Sequence, residues 1–287
     1  MKRLLFILVV LGSIAFPAIQ SVLAAPNIGN LPFRSVWMRQ DWVVANQGAN
    51  RSWTWGPAPL SEVLREPYAE SPGGEREVQY FPKSRMEITV PDAPISAWYV
   101  TNGLLPIELM TGRVQTGANR FDQRSPANIA AVGDPGGFPT YADLGPLHHS
   151  PGAGDFQRLN FPATLLLTPD QGTATFEEYV NDPATYVIAE QNNYGVIRAF
   201  VEFMNQQGPV ADDGMVYEAQ VYDPLFIFGL PVTQPFWVKT RVGGVEQHIL
   251  FQVYERRVLT YNPANPDPWK VEMGNIGQHY YDWRYGD

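Results

Sequence analysis

One stretch of this chain is written twice, and that constrains its fold more than any other feature. Gln79-Tyr80-Phe81-Pro82-Lys83-Ser84-Arg85-Met86 aligns with Gln252-Val253-Tyr254-Glu255-Arg256-Arg257-Val258-Leu259, keeping glutamine, aromatic, base and apolar residue in order at an offset of 173 residues. The same offset, without a gap, places Trp55-Gly56 on Phe228-Gly229. A two-residue deletion downstream aligns Trp98-x-Val100-x-x-Gly103-x-Leu105-x-x-Glu108 with Trp269-x-Val271-x-x-Gly274-x-Ile276-x-x-His279. Repeated units bury a shared core and leave their loops free, so the paired landmarks serve the scaffold first. Gly103 and Gly274 are expected to be equivalent positions that tolerate little side chain, so that valine at Gly274 lowers the melting temperature sharply.

An amphipathic helix is predicted ahead of each copy. In the second, Val196, Ile197, Phe200, Val201, Phe203 and Met204 follow the spacing of one helical face, with Asn192 or Asn193 as N-cap and Gly208 past the end. In the first, Phe33, Val36, Trp37 and Gln40 give a shorter version. Strand-rich runs follow the pairs Gly73-Gly74 and Gly243-Gly244, a composition suited to hairpin turns. Gly133 to Gly154 is dense in turn formers and reads as a surface excursion, while Leu159–Thr168 and Thr173–Val180 flank Asp170-Gln171-Gly172 as an extra hairpin. The terminal Tyr280-Tyr281-Asp282-Trp283-Arg284-Tyr285 reads as a final edge strand. The expected fold is mainly β (α+β), with modules at residues 25–112 and 191–287, each a short helix followed by antiparallel strands and hairpins, and a loop-rich insertion at 113–190. The 26 prolines and 25 glycines scattered along the chain favour such short elements over long helices.

Residues 1–24 have the order of parts of a secretory signal peptide: Lys2 and Arg3, an apolar run from Leu4 to Ala18, and small residues up to Ala24. The run is shorter than the roughly 20 residues that span a bilayer and contains Pro17. The mature protein is therefore expected to be secreted and envelope-associated, without a transmembrane segment. The chain has no cysteine, so its stability has to come from burial. The leader carries two of the 20 basic residues and none of the 29 acidic ones, leaving a formal charge of −11, which argues against nucleic acid as a partner.

Phe228-Gly229-Leu230-Pro231-Val232-Thr233, Gln252-x-Tyr254-Glu255-Arg256-Arg257-Val258-Leu259-Thr260-Tyr261-x-Pro263 and Val271-x-Met273-Gly274-Asn275-Ile276-Gly277 resemble a repeat of secreted bacterial proteins. That repeat reads G-[YL]-P-[IV]-[ST], Q-x-F-E-R-x-R-[LF]-x-Y-x-P and V-x-L-G-x-[LI]-G. Phe200 to Gly208 is similar to its opening helix, and the two-copy plan resembles a largely uncharacterised family of exported proteins. The layout is also similar to that of the LGFP repeat of cell-wall-associated proteins. The resemblance implies attachment to an envelope component or glycan; no catalytic residue comes with it. The first copy departs from the pattern at Trp55-Gly56-Pro57 and at Pro82, which stands where the repeat has glutamate.

No nucleophile elbow, zinc-binding His-Glu-x-x-His, phosphate loop, dinucleotide glycine motif or EF-hand loop occurs in the mature sequence. Adjacent His148 and His149 lack the i, i+4 geometry of a helical metal site. Glu87, Glu108, Glu202, Glu255 and Glu272 lie nearest the repeat landmarks, where a glycosidase would need two carboxyl groups at a set separation. Trp98 and Trp269 are expected in the core. Trp42, Trp53, Trp55 and Trp237, near turns or strand starts, are expected to be exposed and, with Arg256 and Arg257, to contact a ligand. The sequence thus points to a non-catalytic binding or envelope-associated protein, with no cofactor or metal and with a cell-wall or extracellular glycan or another envelope protein as partner. The alternatives are a carboxylate- or metal-dependent hydrolase acting on polysaccharide or cell wall, and a structural subunit of an extracellular assembly.

Overall fold

The structure, a computed structural model, describes residues 27–148, 158–170, 172–212 and 214–286; the leader and His149 lie outside these. It is β-rich, as the composition and turn signals predict. The first copy opens with α1 (Leu31–Trp37), whose N-cap Asn30 accepts from Phe33 N through its side chain. A π-helical turn at Met38–Trp42 carries the chain into α2 (Val43–Asn46). Within that turn the Asp41 carboxylate accepts from Thr54 N (2.8 Å), Trp55 N (2.7 Å) and Gly56 N (3.0 Å), tying the next loop back to the helix. Then follow β1 (Leu64–Pro67), β2 (Glu75–Phe81), β3 (Ser84–Ile88), β4 (Thr101–Asn102) and α3 (Leu105–Thr111), the strands forming a sheet in sequence order.

The insertion contributes the hairpin β5 (Arg113–Gln115) and β6 (Phe121–Gln123), then α4 (Tyr141–Leu144), then β7 (Leu165–Leu167) and β8 (Thr173–Thr175), a narrower hairpin than the sequence marks out. It is not a surface excursion throughout, because Tyr141 and Leu144 of α4 are fully buried.

The hairpin β9 (Val187–Gln191) and β10 (Tyr194–Ile197) opens the last third. Asn192 and Asn193 form its turn at φ 52° and 64° rather than capping a helix. Both central residues of such a turn need positive φ, which asparagine tolerates better than most residues. The helix α5 (Arg198–Met204) begins only after that hairpin and is capped by Ile197 without a side-chain bond. A ribbon of β11 (Gln207–Asp212) and β12 (Met215–Gln220) and the short α6 (Pro224–Ile227) lead to β13 (Phe236–Val242), β14 (Val245–Val253), β15 (Val258–Tyr261), β16 (Val271–Met273) and α7 (Ile276–Tyr285). These strands pair in sequence order, and β7–β8 extends the sheet through a parallel contact with β13. The tail is thus a helix, not a strand. Ile276, Tyr280 and Trp283, at helical spacing, pack into or against one core.

The two sheets agree in register as well as in order. Gln79 pairs with Met86 as Gln252 pairs with Leu259, and Met86 pairs with Asn102 as Leu259 pairs with Met273. Both glutamines are buried, and each donates to the carbonyl of the residue whose hydroxyl accepts a strand amide: Ser61 (3.0 Å) and Thr233 (2.9 Å). Gly56 and Gly229 have φ 128° and 71°, and a Cβ there would lie 2.6 Å from Pro82 and 2.5 Å from Glu255, the residues that differ between the copies. The contacts between copies are reciprocal. Lys83 Nζ donates to Met273 O (2.6 Å), and its counterpart Arg256 donates to Asn102 O, the counterpart of Met273. A contact of i with j′ matched by i′ with j is the signature of an approximate two-fold relation.

Neither core belongs to one sequence segment. One cluster joins Phe33, Trp37, Trp55, Phe81 and Met86 to Phe200, Phe228, Trp237, Tyr254 and Leu259. The other joins Val78, Tyr80 and Leu105 to Tyr141 of the insertion and to Phe236, Phe251, Val253 and Ile276.

Candidate functional site

The residues singled out in the sequence do not gather into one site. Trp55 and Trp237, expected to be exposed, are buried. Trp55 packs edge-on against Phe81 with Arg257 5.1 Å above its ring, and Trp237 stacks on Tyr179 at 5.0 Å while its Nε1 donates to Ala163 O. Arg257 is also buried, donating to Asn102 Oδ1, Arg256 O and Thr54 O. Arg256 is half-buried and occupied with Asn102 O. Trp42 and Trp53 are half-buried against the first core. Trp98 reverses the other expectation: it is 50% exposed and lies edge-on to Phe226 at 6.4 Å, because the Pro91–Pro94 segment keeps the chain out of the sheet until Thr101. Its counterpart Trp269 is half-buried.

The carboxylates separate into two environments. Glu202 pairs with Arg198 on the surface of α5 (3.8 Å), and Glu255 accepts from Leu230 N. Glu87 and Glu108, by contrast, belong to a sealed ion cluster on the α-covered face of the first sheet. There Arg85 meets Glu87 (2.5 Å), Glu108 (3.2 Å) and Glu66 (3.5 Å), while Arg76 meets Glu87 at 2.9 Å. Arg284 of α7 closes the cluster on Glu66 at 3.2 Å, with Tyr285 on the same carboxylate. Burial pushes the Glu66 and Glu87 carboxyls up, but the guanidinium groups outweigh it and hold both below the usual range. For Glu108, burial prevails over Arg85 and the Tyr280 hydroxyl, so its proton affinity is raised. Every carboxylate of the cluster is enclosed.

The second copy resolves the same face differently. The pairing registers place Val238, Ile249, Val258 and Thr260 where the first copy has Glu66, Arg76, Arg85 and Glu87, and the aligned sequences place His279 on Glu108. Val238 and Val258 are buried in the second core, whereas Ile249, Thr260 and His279 border a cleft of about 280 Å³, lined also by Gly274, Lys83, Asp134, Asn262, Asn265, Glu272 and Asn275. The counterpart glycines show the difference directly. A Cβ at Gly103 would lie 2.9 Å from Glu87 Oε1 and Leu105 Cδ2, whereas one at Gly274 meets Val258 Cβ at 3.6 Å, an ordinary contact. Against the expectation that both glycines tolerate little side chain, a Cβ has room at Gly274, and the tight contact is at Gly103.

The cleft wall is held in place from behind. Asn262 Nδ2 donates to Gln247 Oε1 (2.8 Å) and Asn265 Oδ1 (3.2 Å), and Asn265 Nδ2 donates to Trp269 O. Both Asp134 oxygens accept from the Gly243 and Gly244 amides, clamping the Gly133–Phe138 loop to the β13–β14 turn. Burial lowers the Lys83 pKa, opposed by Glu272, and burial likewise lowers that of His279. His279 Nδ1 is hydrogen-bonded to the Tyr141 hydroxyl (3.0 Å). Ammonium, imidazole, amide, hydroxyl and carboxylate groups thus share one concave surface, a lining suited to a polar ligand. Among the described residues no group of three or more His, Asp or Glu side chains is placed to hold a metal ion.

No protein-family model matches the chain, and neither a curated protein nor a solved structure shows significant similarity to it.

The sequence could have located this cleft in one way only. Among the positions where a base or acid in the first copy faces a smaller or neutral residue in the second, Arg76/Ile249, Glu87/Thr260 and Glu108/His279 mark where one copy is filled and the other open.

Proposed function

We propose that the protein is exported and acts as a non-catalytic binding protein of the cell envelope, taking a polar glycan unit in the cleft of its second copy. The observation that carries this reading is the asymmetry of the duplication: ion-cluster side chains fill the first copy, and the counterparts of Arg76, Glu87 and Glu108 in the second border an open pocket with mixed donors and acceptors. Resemblance of the second copy to repeats of secreted and cell-wall proteins supports the same direction. A hydrolase would need two convergent carboxyls with separated proton affinities. The acids here with shifted affinity and paired arginines are sealed under α3 and α7, and Asp134 is spent on two backbone amides.

The test is retention of the mature protein on purified cell-wall polysaccharide. Retention above that on an unrelated neutral polysaccharide, with no release of reducing ends, agrees with the proposal. Equal retention on both, or progressive cleavage of the polymer, contradicts it. Export is tested separately by N-terminal sequencing of the protein from the culture medium, where the chain should start at Ala25.

A further inference from the structure

The ribbon β11–β12 leaves one edge open, and its hydrogen-bond parity can be deduced. Pro209 lies opposite Glu218 and has no N–H, so this pair is one of those that exchange no ladder bonds. The bonded pairs are then Gly208 with Ala219, Val210 with Tyr217 and Asp212 with Met215. Two further bonds agree with that parity. Val221 N donates inward to Gln206 O, and Gln220 O, on the outward parity, accepts from Arg39 Nη2. Val216 and Glu218 therefore each present both N–H and C=O away from the protein.

Two of the usual protections, a charge at Glu218 and the cover of Arg39 over Gln220 O, stand at one end of this edge, and the rest of it is unguarded. β12 contains no proline, lysine or bulge, and Met215, Val216 and Tyr217 are 69%, 43% and 43% exposed. β12 pairs with β11 alone among the described strands.

We propose that this edge joins a second copy of the same chain, β12 against β12′ antiparallel, about a two-fold axis through Tyr217. In that register Val216 faces Glu218′ and Glu218 faces Val216′. Each of these pairs exchanges two bonds, so four N–H···O=C bonds close between copies and use every outward group of Val216 and Glu218. Like charges are not placed opposite one another, because each Glu218 meets a valine and its own counterpart lies on the diagonal. The two Tyr217 residues meet on the axis at the close, non-bonded spacing, each with its hydroxyl already accepting from Arg39 Nη1 (3.0 Å). Arg39 also ends the open edge by occupying Gln220 O. Self-pairing is favoured over capture of an arbitrary extended peptide because the two-fold register satisfies both the bonds and the charges with this one sequence. One strand pair buries less than a standard interface, so the dimer is weak and reversible. Each copy is net negative, so association strengthens as salt screens the repulsion.

The experiment is sedimentation of the purified protein over a range of concentrations at low and high salt, with amide hydrogen exchange read at both ends of the range. The expected result is a monomer–dimer equilibrium shifted toward dimer by salt, with at least tenfold slower exchange of the Val216 and Glu218 amides at high concentration and no change at Tyr217. Glu218→Pro removes one outward N–H without touching the β11 ladder and should leave a monomer with an unchanged melt. A monomer at every concentration and salt, or a dimer whose added protection lies elsewhere, overturns the proposal. So does a dimer that survives Glu218→Pro undiminished. Should that variant fail to fold, the exchange pattern of the unaltered protein still decides the matter.

Discussion

Replacing Arg85 with methionine should be among the most damaging single changes in the chain, and its cost should grow with pH. The guanidinium is fully buried and holds three carboxylates. Without it Glu87 keeps Arg76, and Glu66 keeps Arg284 and, at 3.9 Å, Arg76, but Glu108 keeps only the Tyr280 hydroxyl. Removing one partner of a buried pair costs about 3–5 kcal/mol, because a desolvated charge is left behind. For a chain of this size each kcal/mol moves the melting temperature by about 2–4 °C, so the variant should melt roughly 6–20 °C lower. The Glu108 pKa is already raised by burial, and losing Arg85 raises it further. A carboxyl whose folded pKa exceeds its unfolded one stabilises fully below the unfolded value and loses that contribution as pH rises through the folded value. The penalty of Arg85→Met should thus be smaller at pH 5 than at pH 8. Denaturant unfolding at both pH values, for Arg85→Met, Glu108→Gln and the double variant, measures it. The double variant should recover about 1–3 kcal/mol relative to the sum of the single changes. A single-variant cost under about 1 kcal/mol, or strict additivity, would refute the view that Glu108 is stranded by the loss of Arg85.

Other outcomes follow from neighbouring geometry. Gly277→Ala should unfold or severely destabilise the protein, since a Cβ there would lie 1.9 Å from Phe81 O and 2.6 Å from Ser84 N, both backbone atoms; a thermal melt within 3 °C of the parent, corresponding to about 1 kcal/mol, would contradict the docking of α7 on the β2–β3 turn. Gly103→Ala should also lower the melt, because its Cβ meets the Glu87 and Arg85 side chains. Burial pushes the Asp41 carboxyl from 3.8 to about 6 in spite of the three backbone amides it accepts from and the nearby Arg51. Its ¹³C carboxyl resonance should titrate with a midpoint near 6, and its contribution to stability should fall as pH rises through that value; a midpoint below 4 would show that the amides prevail.

The duplication was legible because backbone roles are carried by a few side chains that the two copies cannot exchange freely. Gln79 and Gln252 staple the strand to the preceding loop, Gly56 and Gly229 sit at positive φ, and the glycine pairs turn the hairpins. These positions aligned, and the β-rich fold followed from them. One error has a local source and the others lie in contacts between distant segments. Asn192-Asn193 suits a helix cap and a two-residue turn equally well, and pairing of β9 with β10 decides for the turn. The aromatic tail has strand-like composition, but Tyr80 and Glu108 of the first copy receive it as a helix, stacking Tyr280 at 5.9 Å and accepting its hydroxyl. Trp55 and Trp237 lie near turns in sequence and in the core in space because the two copies and the insertion close over them. The cleft was not legible at all from motifs, since it consists of what the second copy lacks relative to the first.

The most direct test of the account is polysaccharide binding by Gly274→Val. The added methyl groups enter the cleft from a position where a Cβ makes only ordinary contacts, so the fold should be spared and the pocket occupied. The account predicts a melt within about 2 °C of the parent, under 1 kcal/mol, together with loss of retention on cell-wall polysaccharide. Undiminished retention by a folded Gly274→Val protein would contradict it, because the open half of the duplication would then not be where the ligand sits.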